Sequence, residues 1–179
     1  SDTDVIYHNR RFGRAGTNCY DVYMPGSNTT HGLLLGYDPI ARTGYVVNLQ
    51  FGFGGADDYI RLGTLNGGTA VTWVATSTVF TMGSGGGPHG WYHVEVVRSG
   101  STFDVTVTRA SDGAQFNYVF TNSAFTNSGY QGIYEVNGDY PRDNFFFGGT
   151  APVVTVRDAI QPGIIFSSCS GGCSVGGST

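Results

Sequence analysis

An indole, an imidazole and two carboxylates lie within one short stretch of this chain, GWYHVEVVRSGSTFDVTVTR, from Gly90 to Arg109. Strict alternation places Trp91, His93 and Glu95 on one face of a strand and Tyr92, Val94 and Val96 on the other. Read as a hairpin with a two-residue turn at Ser99-Gly100, the stretch pairs Val97 with Thr102, Val96 with Phe103 and Glu95 with Asp104. A three-residue loop would set Val96 against Asp104, which burial of the apolar face disfavours. Directly opposed side chains have Cβ atoms about 4.5–5.5 Å apart, close to the ~5–5.5 Å between the two carboxyl groups of a retaining glycosidase. Like charges so placed need a proton, a cation, or an arginine such as Arg61 or Arg142 between them. Glu95 with Asp104, or with Glu135, is therefore the catalytic candidate. The outer face of a hairpin is ordinarily solvated rather than a cleft, so the weight falls on no catalysis.

Recognition without catalysis needs other residues. Sugar-binding β-proteins set aromatic rings against sugar faces and fix hydroxyls with Asn, Asp, Gln and Arg. Trp91, at the end of a glycine-rich loop, is expected to be exposed. Tyr130, Gln131, Asn137 and Tyr140 cluster at turns and complete the expected ligand-binding set. Trp73 alternates with Val71 and is expected in the core. Calcium takes several hard oxygen ligands, for which Asp57 with Asp58, and Asp139 with Asp143, are the candidates. Cys169 and Cys173 in CSGGCSVGG can close a small disulfide loop, which leaves Cys19 unpaired, as a buried thiol or for an intermolecular bond. Asn28 in NTT fits the N-glycosylation pattern. No nucleophile elbow and no zinc-helix motif occurs.

The elements that must carry these residues are strands. The chain has 179 residues, of which 29 are glycine and only 12% are charged, about half the usual share. All nine basic residues are arginine. Runs such as NCYDVYM, HGLLLGYD, GYVVNLQFGF, YIRLGTL, TAVTWVA, VFTMG, FNYVFTN, GIYEVN, NFFFGG and VVTVRDA are short and β-rich, separated by Gly, Asn, Asp and Pro. Asn66-Gly67 is a strong hairpin turn. About eleven strands at this spacing predict an all-β, two-sheet antiparallel sandwich over 1–166, with 167–179 as a Ser/Gly-rich tail or linker. A net charge of −4 with no basic stripe argues against nucleic acid, and no apolar run is long enough to insert into a membrane. A start at Ser1 rather than Met suggests a secretion signal already removed.

The order of HGLLLGYD, DYIRLGTLNGG, GWYHVEVVRSGSTFDVTV and RDNFFFGG resembles the concanavalin A-like lectin/glucanase superfamily, in its laminin-G-like branch. The resemblance spans about residues 20 to 150. It implies a jelly roll that binds carbohydrate, with structural calcium at a loop edge, to which Asp143, standing before the last strand, would contribute. The flanking sequences of jelly-roll xylanases and the acidic motif of laminarinases are absent. The expectation is a secreted or cell-surface, non-catalytic carbohydrate-binding module, whose partner is a polysaccharide or glycan. The rival readings are a small jelly-roll glycosidase and an extracellular adhesive or filamentous subunit that self-associates through Cys19 or the C-terminal segment TAPVVTVRDAIQPGIIFSSC.

Overall fold

The computed structural model describes residues 3–24, 30–50, 58–78, 90–125, 128–136 and 142–147. They form eleven strands: β1 Thr3–Phe12, β2 Ala15–Met24, β3 Thr30–Asp38, β4 Thr43–Gln50, β5 Tyr59–Asn66, β6 Val71–Thr76, β7 Gly90–Ser99, β8 Thr102–Arg109, β9 Gln115–Thr121, β10 Gly129–Val136 and β11 Arg142–Phe147. Two antiparallel sheets result, with order β1-β10-β3-β4-β5-β6 (sheet A) and β11-β2-β7-β8-β9 (sheet B). The expected jelly-roll sandwich is therefore what the chain builds. β1 has no counterpart among the expected strands. Its sequence TDVIYHNRRF loses period-two alternation where the register with β10 shifts between Tyr7 and Arg11. The expected strands at 79–83 and 153–159, the tail 167–179, and Asn28, Asp57, Asn137, Asp139, Tyr140, Cys169 and Cys173 lie outside the described residues.

Period two decides what goes inside. Tyr20, Val22 and Met24 of β2, Tyr92, Val94 and Val96 of β7, and Phe103, Val105 and Val107 of β8 form the inner face of sheet B. They meet Leu33, Leu35, Tyr45, Val47, Leu49, Ile60 and Leu62 of sheet A. Burying each such side chain is worth roughly 1.5–3 kcal/mol before conformational entropy is subtracted. The expected core face of the β7–β8 hairpin is thus correct, but its register is not. Ser99 pairs with Thr102, Val97 with Asp104, and Glu95 with Thr106. The turn is Gly100-Ser101, because Gly100 takes the left-handed conformation at φ 61°. A slip of two residues keeps every side chain on its face, so burial alone does not distinguish the two registers.

One end of this core is closed by a charged residue. Arg98 is 2% exposed. Its Nε donates to the Gly100 carbonyl at 3.1 Å and its Nη2 to the Phe125 carbonyl at 3.3 Å. Its guanidinium lies 5.2 Å from the centroids of both Tyr45 and Phe103. The Phe125 N–H donates to the Tyr45 hydroxyl at 2.8 Å. Arg98 thus ties the β7–β8 turn to the chain after β9.

Candidate functional site

The outer face of sheet A carries its own apolar cluster of Leu34, Tyr37, Val46, Leu65 and Tyr134, with Val5, Val71, Trp73 and Tyr130 packed against it. The sheet is curled enough for the Tyr134 hydroxyl to donate to the Thr69 carbonyl, in the turn between β5 and β6, at 3.2 Å. A polar group borders this cluster. Burial of Tyr45, Val47 and Leu49 leaves Asn48 and Gln50 on the outer face of β4. Burial of Ile60 and Leu62 likewise leaves Tyr59, Arg61 and Gly63 on the outer face of β5. The register sets Gln50 beside Tyr59 and Asn48 beside Arg61. A shift in the β5–β6 ladder between Leu62 and Gly63 brings Trp73 of β6 opposite Gly63. A Cβ on Gly63 would stand 2.2 Å from Val71 Cγ1 and 2.8 Å from Trp73 Cε3, so only glycine lets the indole lie where it does.

Arg61 is the centre of this group. Its Nε and Nη2 both donate to Asn48 Oδ1 at 3.3 Å, and Nη2 also donates to Gln50 Oε1. Asn48 is fully buried and is itself fixed by its Nδ2, which donates to the Leu49 carbonyl at 3.1 Å. The guanidinium lies 4.0 Å from the Trp73 ring centroid and 5.2 Å from that of Tyr59. Burial lowers the Arg61 pKa, with Tyr59 opposing. Among the described residues no carboxylate pairs with Arg61, and its Nη1 makes no hydrogen bond. Arg61, Trp73, Tyr59 and Gln50 all remain partly exposed. The arrangement offers an aromatic surface beside a fixed donor edge and amide groups. Among the described residues it contains no acid–base pair.

The expected site residues are scattered. Trp91 is 7% exposed, on the outer face of sheet B against Tyr23 at 5.7 Å between ring centroids. The end of that face next to Trp91 is closed to solvent as well, while Glu95 and Thr106 further along it stay partly exposed. His93 is buried, and its Nδ1 meets Oδ1 of the fully buried Asp21 at 2.6 Å. Glu95 and Asp104 do not oppose one another. Asp104 is exposed and accepts from Asn117 Nδ2 at 2.6 Å. Arg61 cannot bridge them, since it belongs to the other sheet. Glu135 is located by its backbone, which pairs with Asp4 and His31 on β1 and β3.

Tyr130 does reach the outer face of sheet A, 5.3 Å from the Tyr7 ring, and Tyr7 lies 5.4 Å from Tyr37. Gln131 is buried and accepts from the Gly36 N–H at 3.3 Å, which is a structural role. Trp73 is half-buried on the outer face, not in the inter-sheet core. Among the described residues no group of three or more His, Cys, Asp or Glu side chains is arranged to hold a metal ion. Asp58 is buried beside the start of β5, and Asp143 is located by backbone pairing with Asp21. Of each pair of calcium candidates, only one member thus lies within the described residues. Cys19, expected to be unpaired, is disulfide-bonded.

No protein-family model matches this chain, and no curated protein sequence matches it. Solved structures do. A single mutant of congerin II aligns with a TM-score of 0.50 at 15% identity over 76% of this chain and 92% of that one. A tetrameric galectin from the ball sponge Cinachyrella sp. aligns at 0.49 and 14% identity, over 79% and 94%. The carbohydrate-binding module CBM66 from Bacillus subtilis aligns at 0.44 and 16%, over 71% and 70%. The fold is that of the concanavalin A-like jelly-roll sandwiches.

Proposed function

We propose that this chain is a non-catalytic, lectin-like carbohydrate-binding module and that the Arg61–Trp73 group on sheet A is its sugar site. The observation that carries the reading is the fixed guanidinium beside a partly exposed indole, held by two amide side chains with one donor edge left over. Sugar recognition combines ring contact with hydrogen bonds from rigid polar groups, and both are supplied here. The jelly roll contributes the scaffold, a curled outer sheet face on which such a group stands open, while the function rests on the group itself. The Cys19 disulfide supports an extracellular location, where such bonds persist. A glycan array probed with the full chain and with Trp73→Ala tests the proposal. Binding of at least one glycan family, weakened at least about tenfold by the substitution, is expected. An array that stays blank with the folded protein would overturn it.

A further inference from the structure

Among the described residues nothing balances the charge on Arg61, and that restricts the ligand. The acceptors for its Nε and Nη2 are amide oxygens, and its flat faces meet neutral rings. These partners satisfy N–H groups without neutralising the cation. The chain shows what a balanced arginine looks like: Arg109, the last residue of β8, forms an ion pair with Asp112 of the following turn through two hydrogen bonds. A partly desolvated guanidinium with an open Nη1 gains most from a partner that accepts a hydrogen bond and carries a negative charge, because charge-assisted bonds are roughly twice as strong as neutral ones. A sugar hydroxyl meets only the first need.

We propose, building on the sugar-site reading above, that the site selects acidic glycans, with a carboxylate or sulfate ester of the sugar seated at Arg61 Nη1. Neutral hydroxyls of the same sugar then meet Gln50 and the Tyr59 and Trp73 rings. The net charge of −4 does not oppose this. At physiological salt, exposed charges beyond about 8 Å are largely screened, so the local pairing decides. A purely structural Arg61, clamping Trp73 to the sheet, would bind acidic and neutral ligands alike.

Titration calorimetry of the full chain with matched ligands tests this. The probes are oligogalacturonate and its methyl ester, a sulfated galactan oligosaccharide and its desulfated form, and sodium acetate and sodium sulfate alone. At least one acidic oligosaccharide is expected to bind about tenfold or more tightly than its neutralised counterpart, and the pair that shows the preference distinguishes carboxylate from sulfate. Arg61→Gln should abolish the preference with the melting temperature retained, and Arg61→Lys should keep part of it. The matched pairs carry the test in the unsubstituted protein even if a variant fails to fold. Equal binding of acidic and neutral partners overturns the acidic selectivity; the sugar site itself survives that result if Trp73→Ala weakens both. Free sulfate or acetate binding as tightly as the oligosaccharides overturns it in favour of a simple anion site. Absence of binding to any glycan overturns both readings.

Discussion

Arg98 and Arg61 are held in the same way and exposed differently. Each lies over two aromatic rings, each donates to neutral oxygens, and burial lowers the pKa of each. Arg98 sits at the end of the inter-sheet core and donates to backbone carbonyls of two connecting segments. Its Nη1 is buried without a hydrogen-bond partner, a cost on the order of 1–3 kcal/mol that the joint tolerates. Arg61 has the same kind of seat on an outer sheet face, where it stays partly exposed. An arginine seated on rings and closed in is a fastener. The same seat left partly exposed is what the proposed sugar site uses.

The comparison breaks first at Arg98. Arg98→Ala removes packing from two rings and strands the Gly100 and Phe125 carbonyls, so a loss of about 2–3 kcal/mol in denaturant unfolding is expected. Glycan affinity per folded molecule should be unchanged; a specific loss of binding would merge the two roles. Gly63→Ala acts on the other side. The new methyl must displace Val71 and the Trp73 ring. Both belong to the edge strand β6, which can yield, so about 1 kcal/mol of stability is expected to be lost together with binding. Unaltered binding would dissociate the indole position from recognition.

The smallest effect concerns the balanced arginine. The Arg109 hydrogen bond, aided by the Ala114 N–H, holds the exposed Asp112 carboxyl down at about 2. A depressed carboxylate stabilises the fold above its unfolded value of ~3.9, and that contribution is lost as pH falls toward the folded value. The melting temperature of Asp112→Asn should therefore lie slightly below that of the parent at neutral pH. The gap should close between about pH 4 and 2. A gap that persists at pH 2 would show that Asp112 acts through its backbone cap on Ala114 and not through the ion pair.

Alternation is local, and Tyr92, Val94, Val96, Phe103, Val105 and Val107 therefore declare their shared face in the sequence itself. The pairing of Glu95 is not legible in the same way, because a slip of two leaves that alternation intact and only the left-handed Gly100 fixes the turn. The outer face of β7 reads as solvated because Asp21, which buries His93 as its partner, is 72 residues away. The Arg61 group is hidden for a related reason. It joins β4, β5 and β6 sideways through a shifted register, and Trp73 alternates with Val71 just as a core residue would. Asn48-x-Gln50 beside Tyr59-x-Arg61 is the visible signal, two polar pairs at period two on adjacent strands.

The central claim is tested most directly by following side-chain N–H resonances of the isotope-labelled full chain as oligogalacturonate and the sulfated galactan oligosaccharide are added. Saturable shifts of Arg61 Nε–H and Trp73 Nε1–H together are expected, with Arg98 Nε–H unmoved. Saturable binding that leaves the Arg61 and Trp73 resonances in place would contradict it.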